Sequence, residues 1–348
     1  VSLCTTNLPD PTIADGSTAF DTVLYSGDGQ TTQTVALPFA PGLVWQKKRS
    51  HVSAHYLLDA VRGFANDKAL ASHSTEAEGV NSAFFTFSQS GSNITVGDYG
   101  TNTGNEWNTS GRTYAVWTWE AGSSTASNTD GSITTNVRAN ASTGFSIAKG
   151  NFSSVGDGTL GHGLNAAPTF YIIRNIDSSS GWYVYTTAVD GTLDYAFLNG
   201  TDAFSASSRT SPTSSVIQYQ SIATGDHIAY CWTPVAGYSA FGSYTGNGDA
   251  DGPFIYTGFR PKFILRKQTN SAQHWHIADA ERDPENPSDS WLFPNLSDAE
   301  GSGDIDRYTD ILSNGFKIRS AYSYHNQSGS TYIYAAFAEH PQKTARAR

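Results

Sequence analysis

A run of alternating oxygen-bearing side chains, Asn247-Gly-Asp-Ala-Asp251, is the clearest candidate for metal chemistry in the sequence. Calcium loops place oxygen ligands at alternate positions in this way, and a bidentate glutamate six residues after a glycine completes the shell. Here Gly252 supplies the glycine, but Gly258 stands at the glutamate position. We therefore expect a hairpin turn at residues 247–252, without metal or other cofactor. Asn247, Asp249 and Asp251 remain the metal candidates.

The tripeptide His274-Trp-His276 is a second possible metal site, because two imidazoles on one face of a strand can chelate zinc. No further Cys, Asp or His follows at a metal-ligand spacing, so this pattern also favours a structural role. The sequence contains no nucleophile elbow, no zinc-protease helix, no phosphate loop and no dinucleotide-binding fingerprint. We therefore expect that the chain is not an enzyme.

These residues lie within a pattern that occurs three times along the chain. An apolar run begins at Pro41, Pro168 and Pro261, and an aromatic ring follows fourteen residues after each proline, at positions 55, 182 and 275. Each copy ends on an alternating aromatic segment, at residues 113–119, 226–232 and 331–337. A period near one hundred residues is typical of a small domain rather than of a solenoid repeat.

The recurring ring can be interpreted in two ways. An aromatic face can stack on the apolar face of a sugar, which makes Trp107, Trp182 and Trp275 candidates for glycan binding. A ring that is present in every copy is more typical of the hydrophobic core. We favour core packing and expect Trp182→Ala or Trp275→Ala to destabilise the fold.

Copies one and three also share an Asp-Ala-x-Arg motif, Asp59 with Arg62 and Asp279 with Arg282. Copy two has Thr186 and Val189 at the matching positions. We expect each Asp–Arg pair to form a local clasp that holds a turn.

Composition excludes several classes of function. The net charge is −10 and only 15% of residues are charged. A protein that binds duplex DNA needs a basic face to displace counterions, and the sequence shows none, so no nucleic-acid partner is expected. No apolar stretch is long enough to cross a bilayer as a helix, so no membrane insertion is expected. Two cysteines, Cys4 and Cys231, exclude a disulfide framework.

Short apolar and aromatic runs separated by Gly, Asn, Asp and Ser clusters predict β-strands almost throughout. The predicted fold is all-β, with three tandem homologous antiparallel β-sandwich-like domains. The predicted segments are an extended N-terminal arm (1–19), repeat 1 (20–121), a Ser/Thr-rich connector (122–143), repeat 2 (144–237), repeat 3 (238–341) and a basic C-terminal tail (342–348).

Residues 244–265, which include Tyr-Thr-Gly-Asn-Gly and Gly-Phe-Arg-Pro-Lys-Phe-Ile, carry a family resemblance. Together with residues 41–50, 59–63, 292–300 and 313–318, they resemble repeat-containing virion proteins of tailed phages that infect marine bacteria. Residues 3–13 resemble the segment that follows a lectin-like β-sandwich in those proteins. The resemblance implies a structural or tail-fibre-like role. It assigns no functional residues.

We therefore expect a phage virion structural protein of tail-fibre or surface-appendage type, located on the extracellular particle, that contacts host-surface glycans through multivalent weak binding. One alternative is a purely structural virion component, such as a capsid decoration or appendage scaffold without ligand. A polysaccharide depolymerase is the third. The expected partners are other virion proteins and the chain itself as a homo-oligomer. A trimer is favoured, and a monomer with three internal copies is the alternative.

Overall fold

The structure is a computed structural model that describes residues 13–79, 86–97 and 107–338. Within these ranges the chain is almost entirely β, and all pairings between its strands are antiparallel. The described residues contain one short α-helix, α1 (Ser323–Asn326), and 3₁₀ turns at Gly16–Thr18, Asn66–Lys68 and Ile305–Arg307. The all-β antiparallel fold class is therefore confirmed.

The two ends of the chain mostly fall outside these ranges. Residues 1–12 of the predicted arm and the predicted tail 342–348 lie outside the described residues. The described end of the arm is not extended, because Asp15 caps the 3₁₀ turn and Ile13 is buried in the core.

Repeat 1 forms two sheets. Its main sheet has the order β1-β8-β3-β4-β5, and its outer sheet has the order β2-β7-β6. The strands are β1 (Phe20–Ser26), β2 (Gln33–Ala36), β3 (Leu43–Lys48), β4 (His55–Asp59), β5 (Leu70–Ala71), β6 (Thr86–Ser90), β7 (Asn93–Gly97) and β8 (Thr113–Trp119).

Repeat 2 has a larger main sheet, because the connector adds two strands to its edge. The order is β16-β15-β14-β13-β18-β11-β10-β9, with an outer pair β12-β17. The connector strands are β9 (Ala126–Asn128) and β10 (Thr135–Asn140). The remaining strands are β11 (Phe145–Phe152), β12 (Gly156–Gly161), β13 (Phe170–Asn175), β14 (Tyr183–Thr186), β15 (Asp194–Phe197), β16 (Ser205–Ala206), β17 (Val216–Ser221) and β18 (Gly225–Trp232).

Repeat 3 returns to the plan of repeat 1. Its main sheet has the order β19-β25-β21-β22, and its outer sheet has the order β20-β24-β23. The strands are β19 (Ser239–Thr245), β20 (Phe254–Tyr256), β21 (Pro261–Gln268), β22 (His276–Asp279), β23 (Thr309–Leu312), β24 (Gly315–Ile318) and β25 (Thr331–Ala338).

The three main sheets share one strand order: opening strand, closing strand, proline strand and ring strand. From the sequence we also expect each copy to begin at a Phe, at 20, 145 and 241, and to continue into a Gly-Asp-Gly or Gly-Asn-Gly turn, at 27–29, 156–158 and 246–248. The strand register corrects two of these details. Phe20 and Phe145 pair with the last rings of their closing strands, but Ser239 rather than Phe241 occupies that place in repeat 3. The Gly-Asp-Gly at 156–158 begins strand β12 and is not a hairpin turn.

The inner faces of the three main sheets meet in one hydrophobic core. Trp119, at the end of β8, contacts Trp232 of repeat 2 and Phe337 of repeat 3, with ring centroids 6.0 and 5.5 Å apart. The three repeats therefore share this core. A second apolar layer lies between the main and outer sheets of repeat 1 and of repeat 2, but the central core belongs to all three repeats.

Burial on both faces explains the character of the central strands. Side chains of a strand alternate between faces, so Trp45 points to the shared core while Val44 packs under the outer sheet. Such strands must be apolar at nearly every position. This accounts for the unbroken apolar runs after Pro41, Pro168 and Pro261.

Candidate functional site

We call the contact between two repeats a seam. Each seam contains a basic side chain, six residues after the proline of one repeat, that donates a hydrogen bond to a backbone carbonyl of another repeat. Lys47 Nζ donates to the Ser297 carbonyl of repeat 3, at 3.0 Å. Arg174 Nη2 donates to the Glu76 carbonyl of repeat 1, at 2.6 Å. Lys267 Nζ donates to the Thr201 carbonyl of repeat 2, at 2.9 Å. Repeat 1 therefore donates to repeat 3, repeat 3 donates to repeat 2, and repeat 2 donates to repeat 1. The three contacts form a closed ring of seams.

The Asp–Arg clasps also lie on these seams. Arg62 Nε donates to Asp59 Oδ2 at 2.5 Å, and Nη1 donates to Glu78 at 2.9 Å. The hydroxyl of Tyr230, from the closing strand of repeat 2, donates to Asp59 Oδ2 at 2.8 Å. Asp59 and Arg62 are buried, so their hydrogen bonds must be satisfied inside the protein.

Repeat 3 repeats this clasp with its own neighbour. Arg282 pairs with Asp279 and with Glu300, and Trp117 of repeat 1 donates to Asp279 Oδ2 at 3.0 Å. In repeat 2 the clasp residues are replaced by Thr186 and Val189. The position that corresponds to Trp117 and Tyr230 is then Ala335, so the clasp and the ring that donates to it disappear together. The clasps are structural parts of the seams.

The three sugar-stacking candidates do not offer a ring to solvent. Trp107, Trp182 and Trp275 are each 0% exposed. The indole N–H of Trp182 donates to the Ala71 carbonyl of repeat 1, and that of Trp275 donates to the Phe197 carbonyl of repeat 2. The stacking hypothesis is wrong for these residues, because a buried ring has no free face.

The metal candidates at 247–251 engage one another and the neighbouring turn. Asn247 Oδ1 accepts from the Asp249 amide and from Asn326, and Asp249 Oδ1 accepts from the Asp251 amide. Asp251 pairs with Lys317 at 2.8 Å. In the described part of the chain no group of three or more His, Cys, Asp or Glu side chains is arranged to hold a metal ion.

Strand β20 presents an aromatic surface that the sequence patterns did not single out. Phe254 and Tyr256 flank the buried Ile255 and are 45% and 68% exposed. Across the strand they face Lys317 and Gly315 of β24. Gly315 has no side chain, and the Phe254 ring lies close to where its Cβ would be. The matching strand of repeat 1 has Thr34 and Ala36 around the buried Val35.

A cluster of buried polar side chains, Arg266, His276 and His325, lies between the main and outer sheets of repeat 3, and we call this cluster the polar chamber. Arg266 and His276 are directly opposed on β21 and β22, so their side chains project from the same face. Helix α1 places the His325 ring 4.5 Å from the His276 ring, edge to face. All three residues are no more than 2% exposed.

The electrostatics of the polar chamber keep both imidazoles neutral. Burial is the largest cause that lowers the pKa of His276 and of His325 well below 6.5, and the nearby guanidinium groups of Arg266 and Arg307 lower both further. His274, the other half of the predicted pair, instead contacts Asn295 at 2.7 Å. The sequence missed the pairing of His276 with His325 because 49 residues separate them.

The fold is that of an all-β protein in which three main sheets with the same strand order meet in a shared core. The chain belongs to a family whose model is described as a domain of unknown function (DUF7483), which matches residues 15–341 and so spans all three repeats. No curated protein matches the chain in sequence. Among the described residues, no helix is both long and apolar enough to cross a membrane.

Proposed function

We propose that the chain is a structural component of a phage particle, of tail-fibre or surface-appendage type, which contacts host-surface glycans weakly and repeatedly. The closed ring of seams carries this proposal. Three interlocked repeats form a stiff block that can be built into a larger assembly, and the buried clasps serve the block rather than a reaction. The resemblance to virion proteins of marine phages supports the same role.

The exposed face of β20 supports the glycan contact. Phe254 and Tyr256 stand two residues apart on an outer strand, so their rings lie on the same side. An aromatic face packs on the apolar face of a sugar, while Lys317 and Asp310 on the neighbouring strands supply polar groups at its edge. A single shallow face of this kind binds weakly, and many copies on one particle provide avidity.

Binding to an array of bacterial surface glycans tests the proposal. The chain would be displayed multivalently on streptavidin and compared with the double variant Phe254→Ser/Tyr256→Ser. We expect at least a tenfold loss of apparent affinity in the double variant, which corresponds to about 1.4 kcal/mol. Val155→Ser removes an exposed apolar side chain from repeat 2 and serves as the matched control.

Two other outcomes would replace the proposal. If no glycan is bound by the displayed chain, the purely structural virion component without ligand is the better hypothesis. If host polysaccharide incubated with the chain gains reducing ends, the protein is a depolymerase, and the variants then locate its active site.

The oligomeric state of the chain is a separate question, and internal symmetry bears on it. The three repeats already close a ring within one chain, which supports a monomer with three internal copies over a trimer. Light scattering distinguishes the two, since the chain has a mass of 37.3 kDa and a trimer has three times that mass.

A further inference from the structure

Buried guanidinium groups in this protein differ in how completely they are paired. Arg62 and Arg282 each contact two carboxylates. Arg266, which is 1% exposed, makes one hydrogen bond, from Nη1 to Thr309 Oγ1 at 2.8 Å. Its Nε and Nη2 atoms have no hydrogen-bond partner among the residues that the structure describes.

These two nitrogen atoms lie on one edge of the guanidinium plane. This edge is the fork that holds a carboxylate or phosphate group through two parallel hydrogen bonds. Around it, within the described ranges, both ring nitrogens of His276 and both of His325 are likewise buried without a partner. A neutral imidazole carries one N–H donor, so the polar chamber offers a fork and two further donors.

Among the described residues no carboxylate pairs with Arg266, although the neighbouring Arg307 pairs with Asp304 at 3.0 Å. The groups that act on Arg266 are the phenols Tyr244 and Tyr332 and a second guanidinium, Arg307. An unpaired buried charge is costly to fold, and clustered cations increase that cost. An anion in the chamber would offset both.

We propose that the polar chamber of repeat 3 binds a small oxyanion of the phosphate or carboxylate class, held by the Nε and Nη2 atoms of Arg266 and by the imidazoles of His276 and His325. Arg307 lies on the solvent side, stacked over Trp291 and Tyr324 with its Cζ 4.4 and 5.2 Å from their ring centres. Its side chain is partly exposed.

The alternative occupant of a histidine pair is a transition metal. The nearby guanidinium groups of Arg266 and Arg307 oppose a cation at this position. The inference does not depend on the proposed glycan contact, which lies on the exposed face of β20.

Thermal unfolding of the full chain tests the proposal. The melting temperature would be measured in chloride buffer at constant ionic strength with rising sodium phosphate, sulfate or acetate. We expect a saturating rise of about 2–4 °C with at least one of these anions, as linkage predicts for a ligand of the folded state. In Arg266→Met, which keeps a buried side chain of similar length without charge, we expect no saturating rise.

Two further variants sharpen this test. Arg319→Met removes a cation whose side chain is 47% exposed near the same outer sheet, and it should keep the full response. His325→Gln should raise the Kd by about tenfold in calorimetric titration with phosphate, a readout that does not depend on the melting temperature. Circular dichroism verifies that each variant is folded.

Three results would overturn the inference. The first is an equal rise in the wild-type chain and in Arg266→Met, because surface charge would then explain the effect. The second is no response of the wild-type chain to any of the three anions by either method. The third is a saturating response to zinc chloride that His276→Gln abolishes, which would make the polar chamber a metal site.

Discussion

Repeats 1 and 3 enclose the same space between a main sheet and an outer sheet, and apolar side chains line it in both, but three matching positions carry different chemistry. Where repeat 3 has Arg266, His276 and His325, the matching positions of repeat 1 hold Gln46, Tyr56 and Trp107. The Tyr56 and Trp107 rings stack at 5.8 Å within an apolar layer. Repeat 2 has Ile173 and Tyr183 at the first two positions.

The framework around that space is nevertheless the same in repeats 1 and 3. The Asp28 amide donates to Asn108 Oδ1 at 3.0 Å, and the Asn247 amide donates to Asn326 Oδ1 at 2.8 Å. Gly29 and Gly248 adopt positive φ angles in these turns, a conformation that glycine tolerates without strain. Because an apolar filling suffices for this framework in repeat 1, the polar filling of repeat 3 is not a requirement of the fold.

Loss of the Asp–Arg clasp should reduce the free energy of unfolding by the same amount in repeat 1 and in repeat 3. Asp59→Ala and Asp279→Ala each leave a buried guanidinium short of its carboxylate, and we expect each to reduce the free energy of unfolding by about 3–5 kcal/mol. Urea denaturation measures this. Asp226→Ala removes a partly exposed pair with Lys149 and should cost about 0–1 kcal/mol. A clasp variant as stable as this control would show that the two repeats do not share a framework.

Removal of the Trp107 ring from repeat 1 should reduce the free energy of unfolding more than removal of the His325 ring from repeat 3. Trp107→Ala removes a fully buried ring and should cost about 3–5 kcal/mol. His325→Ala removes a smaller ring whose nitrogens are buried without partners, so part of the lost packing is offset, and about 1–2 kcal/mol is expected. Chemical denaturation of both variants measures the difference. Equal losses would remove the distinction between an apolar and a polar filling.

Acid should reduce the stability of the protein through His276 and His325 of repeat 3. His276 and His325 have folded-state pKa values below the unfolded value of 6.5, so the unfolded state takes up protons first. Their contribution to stability is full above pH 6.5 and is lost as the pH falls below it. In chloride buffer, His325→Gln should reduce the slope of unfolding free energy against pH by about 1.4 kcal/mol per pH unit. An unchanged slope between pH 6.5 and 5 would show that His325 is protonated in the folded state.

The smallest effect is expected for chelation. EDTA should leave the melting temperature unchanged, because the oxygens at 247–251 bind the turn and Lys317. A fall in melting temperature that calcium or zinc restores would contradict this. Such a result would mean that the turn of repeat 3 binds a metal, in contrast to the matching turn of repeat 1 at Gly29.

The recurring offsets from Pro41, Pro168 and Pro261 were sufficient to predict strands in the same order, because period and register are local properties of the chain. They could not show that the inner faces meet in one core, since an apolar face does not identify its partner. The pairing of His276 with His325 was hidden for the same reason. Trp182 and Trp275 were correctly interpreted as core rings, whereas Phe254 and Tyr256 stood on a strand too short to show alternation.

The ring of seams has a consequence for synthesis of the chain. Lys47 lies in the first repeat to leave the ribosome, and the carbonyl of Ser297 that it holds lies in the last. A nascent chain that has released repeats 1 and 2 can form one of the three seams and leaves the faces of two main sheets without their third partner. Repeat 1, which is made before repeats 2 and 3, therefore reaches its final surroundings only after β25 has emerged.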